Sequence, residues 1–139
     1  MNSLSGKLGV ILVIGFIFGY AEVWGVDWIY LGETRDGEYF YDADRVIRAS
    51  RHIVRVWQKK YWSKEGVIDY VANMGEKYKD LRYSIAFYEI NCTARKYQFL
   101  HVAFFSNEDK VISKVGLRNK WEFIVPDSMD ELLMEVVCK

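Results

Sequence analysis

Residues 81–105 read LRYSIAFYEINCTARKYQFLHVAFF, which is the longest stretch of the chain with the composition of β strands. Tyr83, Ile85 and Phe87 alternate with smaller or more polar residues, as expected for a strand with two different faces. The link at residues 92–94 is short enough for a hairpin turn, although a single bulged strand would also fit. The stretch predicts two long antiparallel strands, at residues 81–92 and 95–105.

Shorter strand patterns lie on both sides of this stretch. They fall at residues 27–32, 38–42, 52–61, 110–116 and 119–125. Asp36-Gly37 lies between the first two, and Asp-Gly between aromatic runs is a strong hairpin signal. In the 52–61 strand neither alternating face is purely apolar, so the sequence leaves open which face is buried.

Two segments have the period of helices. In residues 63–79, Val67, Val71, Met74 and Tyr78 form one apolar stripe, which predicts a helix near 64–79 with Ser63 as its N-cap. Near the C-terminus, residues 128–131 have the S-x-x-E spacing of a capping box and precede a second apolar stripe. The predicted fold is therefore α+β, a mainly antiparallel sheet of about six strands packed against a C-terminal helix.

The first residues have the layout of a secretory signal peptide. Residues 8–20 carry no charge, and Gly19 and Ala21 place small residues at the −3 and −1 positions of a cleavage site. The apolar run is short for a bilayer span, which needs about 20 residues. We expect cleavage after Ala21, a signal peptide at 1–21, a single domain at 22–139, and export to the periplasm or cell surface. An uncleaved anchor extending to Val26 is the alternative, and it would be the chain's only contact with a membrane.

The chain contains two cysteines, Cys92 and Cys138, and both follow the predicted signal peptide. An exported chain with exactly two cysteines usually pairs them. The sequence shows no C-x-x-C motif and no basic cluster beside either cysteine that would favour a reactive thiol instead. We therefore predict a disulfide between Cys92 and Cys138.

Short motifs follow one another along the chain. They are WIYLG at 28–32, YFYDAD at 39–44, VRVW at 54–57, EINC at 89–92, WxFIxPxS at 121–128 and VC at 137–138. As a set they resemble the surface-adhesin protein E family of small exported bacterial domains, over roughly residues 27–138. The resemblance implies a sheet packed against a C-terminal helix, bridged cysteines, and binding of host extracellular-matrix or serum proteins. No binding residue of the family is carried over to a position here.

One segment combines basic and aromatic side chains. The candidate binding strip consists of Arg48, Arg51, Arg55, Trp57, Lys59, Lys60, Tyr61 and Trp62. Basic groups supply charge and rings supply stacking surfaces for a polyanion such as a glycan, lipopolysaccharide or nucleic acid. The competing interpretation is an ordinary solvated strand, since alternation sends Arg55 and Lys60 to opposite faces.

Composition and motifs exclude several classes of function. The aromatic content of 17% is too high for a disordered chain, and the formal net charge of zero gives no reason to expect a nucleic-acid partner. His52 and His101 are the only histidines and do not form a zinc-binding set, so we expect no metal and no cofactor. No G-x-S-x-G nucleophile motif occurs, and we expect no enzyme.

The sequence thus favours an exported, non-catalytic binding module with a protein or glycan ligand. A structural or assembly subunit of an envelope complex and a small periplasmic inhibitor are the alternatives. A contiguous exposed aromatic or basic patch would favour the binding module. The ligand and the oligomeric state remain open at this point.

Overall fold

The computed structural model describes residues 27–116 and 120–139. The elements in these residues are β1 (Trp28–Thr34), β2 (Gly37–Asp42), β3 (Ile47–Arg48), β4 (Ile53–Trp62), α1 (Lys64–Met74), β5 (Leu81–Asn91), β6 (Lys96–Ser106), β7 (Val111–Val115), β8 (Glu122–Phe123) and α2 (Met129–Val137). The α+β prediction is confirmed. The predicted signal peptide at residues 1–21 lies outside the described residues. None of the described helices is long and apolar enough to cross a bilayer.

The strands form one antiparallel sheet in the order β1-β2-β4-β5-β6-β7. The two-residue strand β3 pairs with β4, and β8 pairs with β6. The predicted strand at 119–125 is therefore limited to Glu122–Phe123 in the described residues. Since β5 and β6 pair along their whole length, residues 81–105 form the predicted hairpin and not a single bulged strand.

The first hairpin depends on a close backbone approach. β1 and β2 are joined by a turn at Arg35 and Asp36, and Gly37 opens β2. Gly37 has φ +157°, and a Cβ added there would collide with the carbonyl oxygen of Tyr61 on β4. Glycine at this position thus allows β2 to pair with β4 immediately after the turn.

Both helices pack on the same face of the sheet, which we call the helix face. Val54 and Val56 of β4 are fully buried there against Leu133 of α2. The opposite positions of β4, including Arg55 and Trp57, lie on the other face, which we call the open face. The structure thus settles the question that the mixed pattern of the 52–61 strand left open.

Helix α1 is shorter than the predicted 64–79 segment. It begins after the Ser63 N-cap, whose Oγ accepts a hydrogen bond of 3.0 Å from the Gly66 N–H, and it ends at Met74. Gly75 adopts φ +115°, which favours glycine and stops the helix. A 3-10 turn at Glu76–Tyr78 then brings Tyr78, which is 5% exposed, into the smaller of two core clusters.

The C-terminal helix is fixed at both ends. The Ser128 Oγ accepts a 3.2 Å hydrogen bond from the Glu131 N–H, as the capping box predicts, while the Glu131 carboxylate accepts from the Asp127 N–H at 2.9 Å. At the other end Cys138 is disulfide-bonded to Cys92, with the two Cα atoms 5.8 Å apart. The predicted disulfide is therefore present, and it joins the end of α2 to the residue that follows β5.

Candidate binding sites

A row of aromatic side chains crosses the open face. One ring comes from each of five neighbouring strands, and we call Tyr30, Phe40, Tyr61, Tyr83 and Phe105 the aromatic row. Successive ring centroids lie 5.5, 5.8, 5.8 and 4.7 Å apart. These separations are in the range of favourable aromatic contacts, so the row is a continuous surface.

A lysine and a second aromatic pair extend the row. The Lys59 Nζ lies 4.6 Å from the Tyr83 ring centroid and 4.7 Å from that of Tyr61, which is cation–π geometry. Trp57 and Phe87 stack on the same face at 4.4 Å. Lys59 thus adds a positive charge to an aromatic surface without interrupting it.

The open face has no covering element among the described helices, since α1 and α2 both lie on the helix face. Tyr30 is 53% exposed, and the other four members of the row are partly exposed. Burial and a 3.1 Å hydrogen bond to the Asp109 Oδ1 raise the pKa of Tyr83 to about 12, so its hydroxyl is neutral at physiological pH. The row presents neutral ring surface and hydroxyl groups to solvent.

A cluster of hydrogen-bonded polar side chains lies at one end of the open face. The Arg55 Nε donates to the Glu89 Oε2 at 2.8 Å, and the Gln98 Nε2 donates to the Glu89 Oε1 at 2.8 Å. Glu89 is only 9% exposed, and a buried charge needs hydrogen-bond partners. These two donors, from the neighbouring strands, provide them. Arg55 is consequently paired with Glu89, while 41% of its side chain remains exposed.

The helix face carries a cleft of about 450 Å³ between α1 and α2. Small side chains, Ser84 and Ala86, occupy β5 beneath it, while Trp62 and Tyr70 stand on the α1 side. The Trp62 Nε1 donates a 3.0 Å hydrogen bond to the Ser84 Oγ, which fixes the orientation of the indole ring. The cleft exists because short side chains separate two clusters of large ones.

A buried hydrogen-bond network lies in the cleft beside α2. The Tyr88 Oη is 3.2 Å from the Gln58 Oε1 and 3.2 Å from the Asp130 Oδ1, and one hydroxyl proton serves only one of these acceptors. The Gln58 Nε2 is buried and has no partner among the described residues. Burial raises the pKa of Asp130, and it raises that of Tyr88 well above its usual value. The network therefore has unused capacity to donate and to accept.

The candidate binding strip does not form one surface. Arg55, Trp57, Lys59 and Tyr61 lie on the open face, whereas Lys60 and Trp62 line the cleft on the helix face. The two remaining arginines lie outside β4. Arg48 is 3.5 Å from the carbonyl oxygen of Lys139, and Arg51 is exposed in the loop before β4. The structure thus divides the strip between the two sites.

The two histidines have different surroundings. The His52 Nδ1 makes a 2.7 Å hydrogen bond with the Thr93 Oγ1, while His101 pairs with Phe87 across the open face. Within residues 27–116 and 120–139, no group of three or more His, Cys, Asp and Glu side chains could hold a metal ion.

Comparisons with known proteins agree with the fold. The model of the family described as surface-adhesin protein E matches residues 28–139. Crystal form II of Haemophilus influenzae protein E is similar with a TM-score of 0.50 and 14% identity, covering 78% of this chain and 86% of that one. Protein E from non-typeable Haemophilus influenzae has a TM-score of 0.48 and 15% identity, covering 80% of this chain and 74% of that one. A comparison with the curated proteins found no match.

Proposed function

We propose that this chain, which belongs to the surface-adhesin protein E family, is a non-catalytic binding module that captures a protein partner on its aromatic row. Membership of this family supports an adhesin-like role at the cell surface. The carrying observation is that five rings touch in sequence across a face that neither described helix covers. This is the contiguous aromatic patch that the binding hypothesis requires.

The shape of the row favours a macromolecule. Five strands spaced about 4.8 Å apart give the row a width of about 19 Å. An extended surface of this kind suits a protein partner, whereas small molecules bind in concave sites. Tyrosine and tryptophan are enriched at the centres of protein interfaces, where they contribute large contact areas at little entropic cost. Tyr61 and Tyr83 occupy that central position in the row.

Two of the positive charges on the open face are already engaged by neighbouring groups. Binding to a phosphate backbone depends on several free cationic groups. Arg55 is bound to Glu89, and the ammonium of Lys59 already lies over aromatic rings. The basic strip is also divided between two faces, so its charges do not add up on one surface, and this weakens the polyanion interpretation.

The chemistry of the described sites supports a role without catalysis. The cleft lining includes one carboxylate, Asp130, whereas glycoside hydrolysis generally uses a pair of carboxylates. Asp130 is hydrogen-bonded to Tyr88, and neither histidine lies in the cleft. The described groups therefore lack the arrangement of nucleophile and base that hydrolases share.

A binding assay tests this proposal. Immobilised extracellular-matrix and serum proteins would be probed with the wild-type chain, Tyr61→Ser and Tyr30→Ser by surface plasmon resonance. We expect at least one protein to bind, and a central hot spot predicts a loss of about 2 kcal/mol, roughly 30-fold, for Tyr61→Ser. Ile68→Ser is the matched control, because Ile68 is exposed on α1 to nearly the same extent as Tyr30, 57% against 53%.

Binding that is unchanged in both tyrosine variants would overturn the proposal. Concentration-dependent self-association of the wild-type chain in light scattering, abolished by Tyr61→Ser, would instead support the assembly-subunit alternative. A strict monomer with no partner in the panel would remove the support for both.

A further inference from the structure

We propose that the cleft between α1 and α2 is a second binding site, which takes a neutral sugar ring. This site lies on the opposite face of the sheet from the aromatic row and does not depend on it. Its volume of about 450 Å³ falls within the roughly 300–1,000 Å³ of typical small-molecule sites. Three features of the cleft favour this ligand: an unpartnered amide, a balance of charge and an oriented aromatic wall.

The first observation is an incomplete set of hydrogen bonds at Gln58. This side chain lines the cleft, is 5% exposed, and has an Nε2 without a partner in the described part of the chain. A buried amide left unpaired is costly, so a ligand that accepts its hydrogen bond recovers part of that cost. Beside it, Gln58 and Asp130 share the single proton of Tyr88. A sugar hydroxyl can both accept and donate a hydrogen bond. It could accept from the Gln58 amide and donate to whichever acceptor, Gln58 or Asp130, lacks the Tyr88 proton.

The second observation is the charge balance of the cleft. Lys60 and Asp130 both line it, and their formal charges cancel. The Lys60 Nζ lies 3.5 Å from the centroid of the Trp62 ring and has no carboxylate within salt-bridge distance among the described residues. A ligand carboxylate near Gln58 would be repelled by Asp130, whereas a neutral polyol avoids that repulsion and accepts from Lys60.

The third observation is the aromatic wall. Trp62 contacts Tyr70 with ring centroids 4.9 Å apart, and Tyr70 contacts Phe104 at 5.4 Å. The hydrogen bond from Trp62 to Ser84 prevents the indole from rotating into the cleft. One face of a pyranose ring consists of C–H groups that pack on an aromatic ring, while its edge carries hydroxyls. The cleft offers both surfaces. Tyr70 and Phe104 supply apolar rings, the Trp62 ring carries the Lys60 ammonium at 3.5 Å, and polar groups lie near α2.

Nuclear magnetic resonance of the full chain tests the site. The ¹⁵N-labelled protein would be titrated with methyl glucopyranoside, methyl galactopyranoside and methyl mannopyranoside, and separately with N-acetylneuraminate and octanoate. We expect saturable shifts of the Gln58 side-chain amide and the Trp62 indole N–H with at least one neutral pyranoside. Tighter binding of N-acetylneuraminate or octanoate than of every neutral pyranoside would overturn the proposal, as would the absence of any shift.

A pair of matched variants separates a ligand contact from a structural role. Gln58→Leu removes the polar partner and should weaken pyranoside binding at least about tenfold. Gln98→Leu makes the same change at a residue that is also buried, at 7% exposed, and also has one unpartnered amide atom. Because Gln98 lies on the open face, this variant should bind the pyranoside with the affinity of the wild type. Equal losses in the two variants would refute the site. If Gln58→Leu does not fold, intermolecular nuclear Overhauser effects between the pyranoside and Trp62 in the wild type decide the matter.

Discussion

Removing the disulfide gives the sharpest test of how the chain is held together. Replacing Cys92 and Cys138 by alanine opens a covalent loop of 46 positions. In the chain-entropy model a loop of this length lowers the entropy of the unfolded chain by about 13.5 cal/mol/K, or about 4 kcal/mol at 25 °C. The folded state changes little, because α2 keeps its apolar contacts with β4 through Leu133, which is fully buried.

Urea unfolding followed by circular dichroism would measure this difference. We expect the free energy of unfolding of the double variant to fall by about 4 kcal/mol relative to the oxidised wild type, with the variant still folded in water. The oxidised wild type should lose a similar amount on adding a reductant, whereas the variant should not respond to the reductant.

The result depends on the loop constraint, so a small effect would be informative. A loss of less than about 1 kcal/mol would show that the unfolded chain is already restricted near these residues, or that the bridge strains the native state. A variant that loses α2 but keeps the sheet would show that the apolar contacts of Leu133 alone do not hold the helix. Either result would show that the loop entropy alone does not account for the contribution of the disulfide.

Three further predictions follow from single positions. Gly37→Ala should destabilise the domain by about 1–3 kcal/mol in urea unfolding, because the new Cβ meets the Tyr61 carbonyl oxygen. Gly116→Ala should change little, because a Cβ there would have no atom of the described residues within 4 Å. Leu133→Ala should cost about 2–5 kcal/mol in the same assay, since Leu133 is fully buried. Tyr83 has a pKa of about 12 against a usual value of 10.0, so its contribution is complete below pH 10 and declines as the pH rises towards 12. Tyr83→Phe should therefore flatten this part of the curve of stability against pH, and an unchanged curve would contradict the assignment.

Local patterns were sufficient to predict the long hairpin, the start of the C-terminal helix and the disulfide. Alternation placed the long β5–β6 hairpin, the S-x-x-E spacing placed the start of α2, and the two cysteines identified their own pairing. Each of these signals acts over a few residues or follows from a count, so one sequence contains it. The end of α1 was missed because the apolar stripe continues to Tyr78, although the backbone of Gly75 leaves the helix and a 3-10 turn carries Tyr78 into the core.

The two sites were not predictable in the same way. The aromatic row takes one ring from each of five strands, so it depends on registers that no single strand specifies. Irregularities in pairing between Tyr30 and Gly32, and between Phe87 and Tyr88, shift which side chains meet. The cleft depends on where two distant helices settle around Ser84 and Ala86. Strand alternation already indicated that Arg55 and Lys60 of the predicted strip lie on opposite faces, but it could not show which site each face belongs to.

The separation of these faces leads to a final prediction about independence. Tyr61 and Gln58 lie on the same strand but on opposite faces, and they share no partner among the described contacts. Effects of sites without shared partners are usually additive. Tyr61→Ser should therefore weaken binding of the protein partner and leave pyranoside binding unchanged. Gln58→Leu should weaken pyranoside binding and leave binding of the protein partner unchanged. In the double variant, each ligand should lose the same binding free energy as in the single variant that affects it. If either single change weakened both ligands, the sheet would have to transmit strain between its faces, and the assignment of two independent sites would be wrong.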